Sequence, residues 1–254
     1  MFEILQIPAL SDNYIYIIID KKTNKTACVD PAVSDAVLAL LEKKKLKLNY
    51  IFNTHHHHDH IGGNLEIKKK TNCKILGPEK DLKRIPGIDI PLKNNDEFAL
   101  GNINFKIFEV PGHTSGHICF YSENAKLLFC GDVLFSLGCG RVFEGTNNQM
   151  WSSLLKIRSL PDSTNVYCGH EYTKSNILFA LSLDPENKKL LNKKNEVENL
   201  LRDGKFTIPF NLGKEKKLNP FLNSDNKNFQ KMLGVSDYSS QRTFDYVRKK
   251  KDLF

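Results

Sequence analysis

All eight histidines of this 254-residue chain fall in three places, and each place follows an apolar run. His55, His56, His57, His58 and His60 come after residues 50–53, His113 and His117 after 103–110, and His170 after 165–167. Loops at the ends of rigid strands are where a scaffold presents reactive side chains, so the chain must fold with three strand ends carrying imidazole. The first cluster is internal, which separates it from a terminal tag. It contains Asp59 and is closed by Ile61-Gly62-Gly63-Asn64, where the glycines allow a tight turn.

Hydrophobic residues make up 40% and charged residues 26% of the sequence, the balance of a globular domain and not of a disordered chain. The longest uninterrupted apolar run is 14–19, far short of the roughly 20 residues a membrane helix needs. Residues 1–13 show no cationic stretch followed by an apolar one, so no secretory signal is read and a cytoplasmic protein is expected. The six cysteines are scattered without a C-x-x-C pair, as reduced buried thiols would be. The formal charge is +8, and it is uneven: residues 1–171 hold 20 Lys+Arg against 19 Asp+Glu, and 172–254 hold 17 against 10. A near-neutral body therefore carries a basic segment that suits a small anion, and the +8 alone is the only support for a nucleic-acid partner.

Pattern divides the chain at the same point. Strands are predicted over 2–7, 14–19, 25–29, 50–53, 73–76, 98–100, 103–110, 118–121, 127–130 and 165–167. Apolar residues Val33, Ala36, Val37, Leu40 and Leu41 recur at helical spacing and predict a helix over 34–44. Further helices are expected from Gly62-Gly63 to about residue 70 and over 150–159, with the histidine cluster in a loop after strand 50–53. Beyond residue 171 helices dominate, over 175–183, 187–201 and 239–251, with a weaker one over 225–233. We therefore expect domains 1–171 and 172–254.

Imidazole and carboxylate together are the ligand set of zinc, iron or manganese. In H-x-H-x-D-H the first two histidines can clasp one ion while Asp59 and His60 point at a second, with His56 and His58 facing elsewhere by strand-like alternation. Further ligands are available in Pro111-Gly-His113-Thr-Ser-Gly-His117, Phe129-Cys-Gly-Asp132 and Cys168-Gly-His170. Asp132 is the natural bridging carboxylate.

With these motifs in hand, the sequence resembles the metallo-β-lactamase superfamily and, within it, the hydroxyacylglutathione hydrolase (glyoxalase II) family. T-H-x-H-x-D-H marks the superfamily. The narrower likeness lies in PGHTSGH at 111–117, GDVLFSLGCGRVFEGT at 131–146, CGHEYT at 168–173, NPF at 219–221 and VRKKKD at 247–252. The resemblance implies an α+β fold, a four-layer αββα sandwich followed by a smaller all-helical C-terminal domain. It implies two divalent ions per chain, zinc foremost and iron or manganese as alternatives. One is held by His55, His57, His113 and Asp132, the other by Asp59, His60, His170 and the shared Asp132. His117 has no ligand role in that pattern and reads as a structural hydrogen-bonding histidine, while Thr54 stands behind the ligands.

The implied reaction is hydrolysis of an S-(2-hydroxyacyl)glutathione such as S-D-lactoylglutathione to glutathione and D-lactate, a step of methylglyoxal detoxification. Asp59 and Asp132 are its catalytic carboxylates, and Arg141, Phe143, Tyr172, Arg248 and Lys251 line the glutathione pocket. Relatives carry Lys or Arg at the first of these positions and Tyr or Phe at the second, and Phe143 offers no hydroxyl. Arg248 and Lys251 are three apart on the predicted last helix and so share a face. No nucleic acid, membrane or obligate protein partner is implied. Two other readings compete: a glutathione persulfide dioxygenase with one iron, and a nucleic-acid-processing member of the superfamily.

Overall fold

The computed structural model describes every residue except Ser236 and Tyr238. It divides into two compact units, one of 1–109 with 114–131, the other of 110–113 with 132–254.

The first unit holds two sheets. Strands β1 (Phe2–Ala9), β2 (Asn13–Asp20) and β3 (Lys25–Val29) run antiparallel in order. Helix α1 (Ser34–Lys44) crosses to β4 (Tyr50–Phe52), which pairs with β3 in parallel. The short α2 (His58–Ile61) and α3 (Asn64–Thr71) then lead to β5 (Lys74–Pro78) and the edge strand β6 (Ile88–Leu92), again parallel. Parallel pairing needs a crossover, which the helices supply. The second sheet of this unit is the antiparallel meander β7 (Glu97–Leu100), β8 (Ile103–Glu109), β9 (Ile118–Ser122) and β10 (Leu127–Gly131).

Burial explains why these segments order as they do. Every residue of β2 is buried, and Val37, Leu41 and Ile67 of α1 and α3 join Ile15, Ile17, Cys28, Ile51 and Ile75 in one cluster. Helix α1 ends where Lys45 turns left-handed (φ 52°), and its N–H and that of Leu46 return to Glu42 and Leu41 at 3.0 and 2.9 Å. Phe52 of β4 stacks on Phe120 of β9, centroids 4.7 Å apart, with Phe98 and Phe105 edge-on, so the two sheets share an aromatic interior.

The second unit is mainly helical. It contains the hairpin β11 (Leu134–Phe135) and β12 (Gly138–Cys139), then α4 (Asn147–Arg158), β13 (Asn165–Cys168), α5 (Thr173–Leu183) and α6 (Lys188–Arg202). β14 (Phe210–Asn211), α7 (Leu212–Leu218), α8 (Lys227–Met232) and α9 (Ser240–Leu253) complete it. Thr146 and Gln149 form a capping box on α4, and Asn187, Asn211, Asn226 and Ser239 cap α6 to α9. The all-helical expectation for 172–254 needs one correction: β14 pairs with β13, a two-residue strand too short to carry a period. Among the described residues all six cysteines are buried and none is in a disulfide, and no helix is long and apolar enough to cross a membrane.

Candidate metal centre

β3 and β4 end side by side, and the segments beyond them are built around a carboxylate that sequence reasoning missed. Asp30, 3% exposed and left-handed at φ 47°, accepts the Thr54 N–H at 2.8 Å and the Thr54 hydroxyl at 2.7 Å. It also faces His60 Nδ1 at 3.0 Å. Its one sequence signal is an Asp at a strand end directly before Pro31.

These bonds set the protonation of the imidazoles. The Thr54 proton is given to Asp30, so its hydroxyl oxygen can only accept from His55 Nδ1, 3.0 Å away. His55 therefore presents an Nε2 lone pair. A carboxylate likewise only accepts, which makes His60 Nδ1 the donor and Nε2 its ligand atom. His55 Nε2 and His57 Nδ1 lie 3.1 Å apart, a separation at which a proton or a cation must sit between them. Asp59 Oδ2 is 3.5 Å from His60 Nε2 and is held by the Asn13 amide, which donates to it at 2.9 Å and to the Asp59 carbonyl at 3.1 Å.

His56 and His58 do face elsewhere, but not by strand alternation. After His57 the chain turns into α2, so His58 is exposed while His56 Nδ1 sits 3.6 Å from buried Asp81 Oδ2. The histidine segment is thus half helix where a loop was expected; four residues are too few to show a 3.6 period. Gly131, at φ 48°, closes β10 under this segment, where a Cβ would strike Thr54 and His117. His117 behaves as the sequence suggested: it is fully buried, its Nδ1 faces the Ile118 carbonyl at 3.1 Å, and its ring stacks on His55 at 4.6 Å.

In the second unit His113, Asp132 and His170 converge. His113 Nδ1 donates to the Arg141 carbonyl at 2.8 Å, which leaves Nε2 as an acceptor. That acceptor faces Asp132 Oδ2 at 3.5 Å, and the same oxygen lies 3.2 Å from His170 Nε2. Buried acceptor atoms this close need a proton or a metal ion between them. The donor set of both units therefore fits divalent metal.

The five residues expected at the substrate lie in the second unit. Phe143 is 61% exposed with its ring 5.3 Å from that of His113, and Arg141 is exposed. Tyr172 stacks flat on His170 at 4.8 Å. Lys251 reaches Ser175 Oγ at 3.3 Å and lies over the rings of Phe179 and Phe254. Burial, and after it the Arg248 and Arg141 charges, push the Lys251 ammonium down to about 8. Arg248 is 3% exposed. Its Nη1 donates to the Cys139 and Gly140 carbonyls at 3.0 and 3.4 Å, its Nε and Nη2 donate to Asp252 at 3.1 and 2.7 Å, and it stacks over Phe221.

Residues 11–170 match the family described as the metallo-beta-lactamase superfamily, and the fold is that of this superfamily: mixed sheets and helices, here with a helical C-terminal part. ETHE1 from Myxococcus xanthus superposes with a TM-score of 0.69 at 24% identity, over 97% of this chain and 90% of its own. TTHA1623, solved in a di-iron-bound form, is 25% identical with a TM-score of 0.56, over 65% of this chain and 90% of its own. Residues 171–254 match the hydroxyacylglutathione hydrolase C-terminus. A hydroxyacylglutathione hydrolase of Methylococcus capsulatus is 46% identical over 254 residues, 100% of this chain and 99% of the relative. The chain belongs to the hydroxyacylglutathione hydrolase family of thioester hydrolases.

Proposed function

We propose that His55, His57, His113 and Asp132 would hold one divalent ion and Asp59, His60, His170 and Asp132 a second, and that the protein so loaded hydrolyses S-(2-hydroxyacyl)glutathione. The observation that carries the reading is the facing of His113 Nε2 and Asp132 Oδ2, a carboxylate oxygen already close to His170. A two-ion complement is supported by the relative solved in a di-iron-bound form. Zinc suits the set first, and iron or manganese would be accepted by the same ligands.

When bound, two such ions supply Lewis acidity and lower the pKa of a water from 15.7 toward about 7. The protein's part is orientation. Asp59, fixed by Asn13, aims the attacking water, and Asp30 holds His60 and Thr54 in register. The leaving thiol has a solution pKa near 8.5, so it departs as thiolate without a dedicated acid.

Glutathione carries two carboxylates and an ammonium, and the basic residues answer the former. Arg141 and Lys251 are the exposed or half-exposed cations, with Tyr172, Phe143 and Arg248 completing the pocket in this proposal. The division at residue 171 belongs to it too: all seven metal ligands lie before it, and Tyr172, Arg248 and Lys251 of the pocket lie after it. Reduced buried cysteines and a glutathione-linked substrate favour the cytoplasm. The C-terminal family match favours this reaction over a one-iron persulfide dioxygenase or a nucleic-acid enzyme.

Metal analysis of protein purified without chelator tests the centre. About two ions per chain are expected, with both sites weakened in Asp132→Ala because each ion loses a shared ligand. A reproducible single equivalent that added zinc or manganese does not change would contradict it.

A further inference from the structure

Glu215 is a buried carboxylate with no part in the hydrolysis. It is 3% exposed on α7, and burial pushes its carboxyl up despite four groups around it that offset the effect. Two of those groups belong to one turn: Ser136 Oγ donates to it at 2.9 Å and the Leu137 N–H at 2.7 Å. That turn joins β11 to β12, and Leu137 sits at φ 58°, a conformation that costs a branched apolar residue free energy. The Glu215 carboxylate is the acceptor that fixes the Leu137 N–H in that conformation.

The rest of the hairpin is held from the same side. Asn219, one helical turn beyond Glu215, donates to the Phe135 and Gly138 carbonyls at 3.2 and 3.0 Å, and Asn176 donates to the Ser136 carbonyl at 3.1 Å. The other side of the hairpin carries Phe135. Its ring meets Tyr172 edge-on at 5.1 Å and His170 at 6.1 Å, and those two rings are stacked within 1° of parallel.

We propose that Glu215 is a positioning residue: by locking the Ser136–Leu137 turn it fixes Phe135, and through Phe135 the rings of His170 and Tyr172. Glu215 touches neither ring. Its effect passes through a two-residue turn, so it depends on an acceptor at the right place and not on negative charge. The role of the two rings in hydrolysis rests on the proposed thioesterase function.

The test compares Glu215→Ala with Glu215→Gln in the full chain, at a temperature where circular dichroism shows both folded. Gln keeps an oxygen for the Leu137 N–H, and its amide can donate to Ser136 Oγ. Glu215→Ala is expected to speed hydrogen exchange of the 136–140 amides at least tenfold and to move the His170 ring-proton NMR shifts. Its kcat/KM should fall by about tenfold to a hundredfold, the scale of an ångström-sized misplacement. Glu215→Gln should restore all three. Ser136→Ala, a milder variant should Ala at 215 fail to fold, should move them the same way by less. A merely structural residue would lower the melting temperature while leaving the His170 shifts and kcat/KM of folded protein at wild-type values, and that result overturns the proposal. Exchange and ring shifts need no substrate, so they remain decisive if the wild type proves inactive on glutathione thioesters.

Discussion

Asp30 Oδ2 lies 3.0 Å from His60 Nδ1 and 2.7 Å from the Thr54 hydroxyl, so one carboxylate sets the protonation of two imidazoles, His60 directly and His55 through Thr54.

Asp30→Ala removes the acceptor that keeps the ligand nitrogens of both histidines unprotonated. Zinc affinity should fall by about tenfold to a hundredfold, the usual effect of losing a group that orients a ligand. Isothermal titration of metal into apoprotein reads this directly. Unchanged affinity would mean that Asp30 only shapes the fold.

Lys251 should make substrate binding pH-dependent. Its ammonium is down to about 8, so in free protein the charge is lost as pH rises through that value. KM for an anionic glutathione substrate should therefore rise between pH 7 and 9, and Lys251→Arg, which stays charged, should flatten the rise. For stability the sign is opposite. A lysine whose folded pKa is depressed costs stability below it, and the cost fades as pH climbs from about 8 toward the unfolded value of 10.5. A KM profile identical in wild type and Lys251→Arg would remove Lys251 from the substrate site.

Arg248 and Lys251 share a helix face but should behave differently. Lys251→Ala removes an anion contact and should raise KM about tenfold or more at nearly constant kcat and with no loss of melting temperature, a charge-assisted bond being worth about 1.5–3 kcal/mol. Arg248→Ala should raise KM and also lower the melting temperature, because it leaves the Cys139 and Gly140 carbonyls unanswered and Asp252 uncompensated. Equal thermal stability of the two variants would contradict the brace that the structure gives Arg248.

Acid should act through Asp20. This carboxylate is 1% exposed, and although burial opposes ionisation, the Asn102 N–H and side-chain amide, the Thr23 hydroxyl and the Lys22 N–H hold it well below the usual range. Its contribution is present above the unfolded value near 3.9 and is lost as pH falls toward the depressed one. Asp20→Asn should cost about 1–3 kcal/mol at pH 7 and make denaturant-measured stability fall less steeply below pH 4. The same slope in both proteins would contradict this.

Most strands and long helices were legible because burial marks the sequence, as a continuous apolar run in β2 and as helical spacing in α1. β6 was not, since Pro91 argues against a strand; it is tolerated because β6 is an edge, where a missing N–H costs no ladder bond. α7 was hidden by its charge, LGKEKKL, although Asn211 is a usable cap. The seven ligand candidates could be named from spacing and resemblance. Asp30 and Glu215 could not, because what selects them is a left-handed residue in each case, at position 30 itself and at Leu137, and a sequence does not declare its φ angles.

The central claim is hydrolysis of a hydroxyacyl thioester recognised through glutathione. Loss of thioester absorbance should be followed with S-D-lactoylglutathione and with the same acyl group on a small thiol that lacks the glutathione carboxylates. Hydrolysis of the first is expected with a kcat/KM at least a hundredfold above the second, the product of two anion contacts at about tenfold each. No hydrolysis by metal-replete protein, or equal rates on both substrates, would contradict it.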